Sequence, residues 1–231
     1  MLEGFRRLLG GKAPPTDSQT ATQAALSSFD EWSRRAQVQI RSPRDSGGLI
    51  VEGKTDGLPW RIEWGASQRP YVPGQELRIR ATLPLPPDLQ ANLQAIVLDR
   101  PLQEAIEKAM FEQFVEDVQT RIDTDTPAEM RWIVMHPRLA RAELGELHER
   151  YAAAASLKPW LQQWLAGPLA PALLARRDEA GTPFVLTLNR GRLTLRTALE
   201  EASPGSVEPQ LRLFETALRE ARSVRFDDDP G

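Results

Sequence analysis

Few residues in this chain can carry chemistry, and they are scattered. There are two histidines, His136 and His148, and no cysteine. Without thiols, disulfides, thiol nucleophiles and thiolate zinc sites are excluded, and two histidines do not make a His-rich metal centre. His136 closes the apolar run "MRWIVMHP", Met130–Pro137. At the end of an element it can act as a general base, or it can turn its ring to water or a backbone carbonyl; no nucleophile motif accompanies it. His148 sits beside a Leu144, Leu147 and Tyr151 stripe and reads as partly packed helix surface. Asp123 and Asp125 in "DTDT" offer oxygen ligands to a hard cation, but without further ligands at EF-hand spacing they suit turns and caps better. "LLGGKA" has Arg6 where a P-loop needs its first glycine and Ala13 where it needs Ser or Thr. No G-x-G-x-x-G follows a strand, and no G-x-S-x-G or H-E-x-x-H is present. No metal site and no cofactor follow from these residues.

One stretch keeps a functional candidate. "LPWRIEWGASQRPYVPG" runs from Leu58 to Gly74. With period 2, Trp60, Ile62 and Trp64 share one face of a strand, and Arg61 and Glu63 share the other. The tryptophans are therefore core, and the ligand-facing candidates are Glu63 and the loop residues Arg69 and Tyr71. That loop, Gly65–Gly74, has ten residues. Hairpin connections usually take two to five, and longer ones are enriched for function. Pro70 and Pro73 stiffen it around Tyr71. Two arrangements fit: Arg69 and Tyr71 form a binding anchor, or Tyr71 folds over the sheet edge while Arg69 meets Glu63 or Glu76. A catalytic alternative, a hydrolase or transferase, needs Glu63, Arg69, Tyr71 and His136 to converge within hydrogen-bond reach.

The elements that must position these residues follow from hydrophobic period. Ala25, Phe29, Trp32 and Ala36 form one stripe, predicting a helix from about Thr20 to Arg35. The period then changes to 2, with turn residues separating Val38–Arg41, Leu49–Gly53, Leu58–Trp64 and Glu76–Leu83, an antiparallel meander. Leu93–Leu98 predicts a fifth strand, and Asp99 followed by Pro101 caps a helix with Leu102, Ile106, Met110, Phe114 and Val118 on one side. Met130–Pro137 reads as a buried strand, and 141–175 as helical in two or three pieces with Trp160 and Trp164 on one face. "TPFVLTLNRGRLTLRTAL" is a hairpin turning at "NRG", and Ser206 caps a last helix from Val207 to about Ser223.

The fold class is α+β, an antiparallel β-meander plus a C-terminal β-hairpin covered by helices. The organisation expected is a short helix and linker over 1–18, a strand-rich segment over 19–122, a helix-rich segment over 123–226 and a disordered tail over 227–231. The two larger segments divide at "DTDTP" and can share one core.

At 231 residues, 41% hydrophobic and 26% charged, the composition is that of a soluble globular protein. A net charge of -3 gives no global attraction to nucleic acid or an anionic membrane, and acids interleave the strand arginines. Almost all the cations are arginine, which coding bias or Arg–carboxylate pairing both account for. No run of about 18 apolar residues predicts a membrane span, and the broken apolar start does not suit a signal peptide, so a cytoplasmic location is expected. Residues 2–9 form a short basic amphipathic pattern that allows a membrane-surface accessory role.

"RIEWGASQRPYVPGQELRIRATL", "VQTRIDTDTPAEMRWIVM" and "FVLTLNRGRLTLRTAL" resemble segments of an uncharacterised family of bacterial proteins with no established activity, over most of the chain after about residue 25. The resemblance implies a bacterial source and transfers no functional residue. The element order is also similar to the type III secretion chaperone-like fold, with an extra strand and the 141–175 segment added. The function expected is a non-enzymatic protein-binding or adaptor role, with a protein partner or a second copy of the chain and no nucleic acid.

Overall fold

The structure, a computed structural model, describes residues 29–42, 48–116, 127–177 and 181–224. Residues 1–18, Asp123, Asp125 and the tail 227–231 lie outside the described residues, as does the first part of the predicted N-terminal helix.

Among the described residues, eight strands form one antiparallel sheet. They are β1 (Gln39–Arg41), β2 (Gly48–Thr55), β3 (Leu58–Ala66), β4 (Gln75–Thr82), β5 (Gln94–Asp99), β6 (Tyr151–Ala155), β7 (Phe184–Asn189) and β8 (Arg192–Ala198). Their spatial order is β1-β2-β3-β4-β8-β7-β5-β6. The predicted meander is β1–β4 and the predicted hairpin is β7–β8, which inserts between β4 and β5. Two tight turns set the registers. Asp56-Gly57 joins β2 to β3 and Arg190-Gly191 joins β7 to β8, with positive φ at both residues of each turn. That is the backbone whose twist matches antiparallel strands, and glycine supplies it without a Cβ clash.

The helices are α1 (29–36), α2 (Pro87–Asn92), α3 (Arg100–Glu116), α4 (Ala128–Met135), α5 (Arg141–Leu144), α6 (Lys158–Ala166), α7 (Leu169–Leu174) and α8 (Pro204–Ser223), with a 3-10 turn at Gly145–Glu149. Alternation turns Trp60, Ile62, Leu77, Ile79 and Leu195 to the inner face, where α1, α6, α7 and α8 bury them. Three indole N–H groups reach acceptors: Trp60 donates to Thr55 Oγ1 at 2.9 Å, Trp64 to the Leu199 carbonyl at 2.7 Å and Trp164 to the Ala217 carbonyl at 2.9 Å. Each of these three tryptophans thus buries its area, roughly 4–6 kcal/mol of transfer free energy, without stranding its polar atom, whereas the buried Trp160 Nε1 has no partner among the described residues.

Among the described residues, the outer face is covered at one end only. There Ile96, Leu98, Ala154 and Val185 pack against Met130 and Ile133 of α4, with Leu102 and Ile106 of α3 alongside. Asp99 caps α3 as its sequence predicts, its Oδ1 accepting from the Leu102 N–H at 2.8 Å. The side chains of Met110, Phe114 and Val118, further along the predicted stripe, lie outside the described set.

Three expectations change. Met130–Pro137 is not a strand: Ala128–Met135 is the helix α4. An apolar run of eight residues fits either period, and here Met130 and Ile133 are buried while Val134 and Met135 are exposed, which is a helical face. The 141–175 stretch is not all helical, because β6 crosses it as "YAAAA". Its small residues are all buried, so no apolar–polar alternation marks the strand. The last helix starts one turn earlier than predicted. Ser203 is the cap, accepting from Ser206 N–H at 3.2 Å, and Ser206 Oγ returns the bond to Ser203 N–H at 3.0 Å.

Candidate functional site

The 65–74 loop braces itself first. Ser67 N–H donates to the Gly74 carbonyl at 3.1 Å, and Ser67 Oγ accepts from Arg69 N–H at 3.1 Å. This aims Arg69 and Tyr71 across the sheet toward the start of α4. Arg69 Nε donates to Glu129 Oε1 at 2.5 Å, and the Tyr71 hydroxyl donates to the same oxygen at 3.1 Å. Arg69 therefore meets neither Glu63 nor Glu76. Tyr71 lies half-buried against the α4 apolar cluster. Glu129 escapes sequence reasoning because its segment reads as a strand; its place just after Pro127, in the first turn of a helix, was the usable signal.

Burial alone would raise the Glu129 carboxyl, but its own backbone N–H and the hydrogen bond and charge of Arg69 outweigh that and hold it below its ordinary value. Burial pushes the Tyr71 phenol up, and the Glu129 charge pushes it further. Arg69 is raised, since its bond and attraction to Glu129 outweigh burial. All three groups move away from neutrality.

Glu63 belongs to an adjoining ladder of ion pairs. It takes Arg61 at 2.7 Å and also pairs with Arg78 and Arg80 across β4. Arg61 also reaches Glu52 at 3.1 Å, which Arg41 holds at 2.7 Å. On β8, Arg196 pairs with the buried Glu76. The strand order brings like charges face to face: Arg61 is opposite Arg80, and Arg78 is opposite Arg196. Burial, then Arg196, Arg80 and Arg61, push the Arg78 guanidinium down to about 10. Arg80 is lowered by burial and then by Arg61, Arg192 and Arg196.

Where β4, β8 and α4 meet there is an open hollow of about 400 Å³. Its lining holds six arginines and one glutamate, Glu129. Arg78, Arg80 and Arg196 stand on its strands, Arg69 reaches in from the loop, and Arg190 and Arg192 come from the β7–β8 turn and its exit. Trp132 of α4 forms part of the wall. The side chains of Arg190 and Arg192 make no ion pair or hydrogen bond among the described residues. Sequence reasoning singled out Arg69 but not this collection, which exists only once β8 lies beside β4.

The structure thus brings Arg69 and Tyr71 together on one carboxylate and links Glu63 to the hollow through Arg78 and Arg80. His136 stands apart. It caps the C-terminus of α4, and its Nε2 lies 2.8 Å from Gln94 Oε1, outside the Arg69–Tyr71–Glu129 set. Burial lowers its pKa.

No protein-family model and no curated protein sequence matches the chain. Among solved structures, the fold is similar to the mycobacterial trehalose monomycolate transport factor A, TtfA, with a TM-score of 0.50 and 8% identity, over 88% of this chain and 97% of that one. At that identity the likeness concerns the fold. Among the described residues no helix is long and apolar enough to cross a membrane.

Proposed function

We propose that the protein is a non-enzymatic binding or adaptor protein of the bacterial cytoplasm, and that the bare arginine-rich half of its sheet docks a protein partner presenting carboxylates. The observation that carries this is the one-sided cover of the sheet among the described residues. Helices line the inner face, while on the outer face α3 and α4 stop at β5, β6 and β7. Arg61, Arg78, Arg80 and Arg196 stand on the strands beyond, held by Glu52, Glu63 and Glu76. Guanidiniums already fixed by ion pairs lose little side-chain entropy when a partner arrives, and a positive excess steers an acidic surface toward them.

The Arg69–Tyr71–Glu129 set favours docking over acid–base catalysis. A catalytic acid or base works best when its pKa lies near the working pH, and here Tyr71 moves up and Glu129 moves down. The description of TtfA as a transport factor is in keeping with an accessory role for this fold and assigns no cargo here.

The test is affinity capture from a native extract with the full chain, compared with an Arg61→Glu/Arg80→Glu variant. A specific partner is expected, its retention falling about tenfold in the variant and weakening with salt. An Arg212→Glu control on α8, whose side chain pairs only with Glu208 of the same helix among the described residues, should capture it normally. Absence of a specific partner, or equal retention by the double variant, overturns the proposal.

A further inference from the structure

We infer that the hollow between β4, β8 and α4 is a binding site for a phosphate-class oxyanion, either inorganic phosphate or the phosphate group of a small soluble phosphomonoester. This goes beyond partner docking and needs no partner.

The first support is an arrangement that a sheet ordinarily avoids. Like charges directly opposite on neighbouring strands are destabilising, yet Arg78 faces Arg196 and Arg61 faces Arg80. The chain as a whole carries a net charge of -3, so this concentration is local. Glu63, Glu76 and Glu129 each engage arginines of the hollow, but six arginines line it. A positive excess remains; the Arg78 and Arg80 guanidiniums are lowered first by burial and then by their arginine neighbours.

The second support is the set of free donors. Arg190 and Arg192 stand exposed at the hollow with no partner among the described residues. The Nε of Arg78 is buried and unpaired. Guanidiniums on two strands, the β7–β8 turn and the 65–74 loop approach one space from different directions. A carboxylate offers two oxygens and one charge, whereas a phosphomonoester offers three oxygens and a charge of about -1.5 to -2. Arginine forks match that geometry with paired hydrogen bonds. The volume, about 400 Å³, exceeds a bare phosphate and lies at the small end of ligand pockets, roughly 300–1,000 Å³. Asn189 and Thr194 line it and supply uncharged polar groups for the rest of such a molecule.

The experiment is calorimetric titration of the full chain with sodium phosphate and with a sugar phosphate at constant ionic strength, using acetate as the comparison. Saturable binding of at least one phosphate is expected, with acetate weaker by about tenfold or more. Arg192→Gln and Arg190→Gln, at exposed positions without partners, should fold normally and weaken phosphate binding by about tenfold each. Arg212→Gln should leave it unchanged. A tighter sugar phosphate assigns the site to an organic phosphomonoester, and a tighter inorganic phosphate assigns it to the free ion; both support the inference. No saturable binding of either phosphate, equal binding of acetate, or unchanged binding in both variants overturns it. Such a failure leaves partner docking standing, since that is read from protein capture and from Arg61.

Discussion

Arg69 and Glu129 stand sixty positions apart in sequence and 2.5 Å apart in space. Through this pair, and the Tyr71 hydroxyl on the same oxygen, the loop after β3 is fastened to the helix that covers the far end of the sheet. The fastening also builds one wall of the arginine hollow, so loop placement and local charge are set by a single carboxylate.

Glu129→Gln should destabilise the protein by about 1–3 kcal/mol, because the half-buried Arg69 guanidinium loses its charged acceptor. Urea unfolding of the wild type, Glu129→Gln, Arg69→Gln and the double variant forms a cycle. A coupling of about 0.5 kcal/mol or more is expected, and additive effects would show that the pair is only a surface contact.

The same carboxylate gives a pH signature. Its folded pKa lies below the ordinary value of 4.5, so the folded state binds its proton less readily than the unfolded chain does. Its contribution is therefore fully present above that ordinary value and is lost as pH falls through the lowered folded value. The melting-temperature gap between wild type and Glu129→Gln should be constant from pH 7 to about pH 5 and then narrow on further acidification. A gap that widens on acidification would contradict the assignment.

Gly53 lies opposite Trp60 in the β2–β3 register. A Cβ added there would stand 2.4 Å from the Trp60 ring, which is buried and tied to Thr55. Gly53→Ala should therefore cost about 1–3 kcal/mol in urea unfolding, as overpacking does. Lys54→Ala, at the exposed neighbouring position, should change stability by less than about 0.5 kcal/mol.

Most of the sheet is legible in the sequence because the relevant strands alternate. Trp60, Ile62 and Trp64 against Arg61 and Glu63 is a pattern that only period 2 explains, and the structure buries the first set and leaves the second half-buried on the other face, in ion pairs. β6 is illegible because a tyrosine and four alanines, all buried, carry no alternation, and α4 because a short apolar run suits either period. Arg69, Tyr71 and Glu63 stand out through loop length and strand face. Glu129 does not, since its contact depends on how α4 folds over the sheet. The arginine hollow depends on β8 pairing with β4, which brings Arg192 and Arg196 beside Arg78 and Arg80 from more than a hundred positions away. Local periodicity carries no information about that pairing.

The most direct test of the docking claim is site-specific photo-crosslinking in the native host. A photoreactive residue is placed at Arg61 or Lys54 on the bare outer face, and at Glu208 or Arg212 on α8. The account predicts a discrete crosslinked partner from positions 61 and 54, lost on charge reversal at Arg80, and none from α8. Crosslinks to a specific partner from α8 alone, with none from the arginine face, would contradict it.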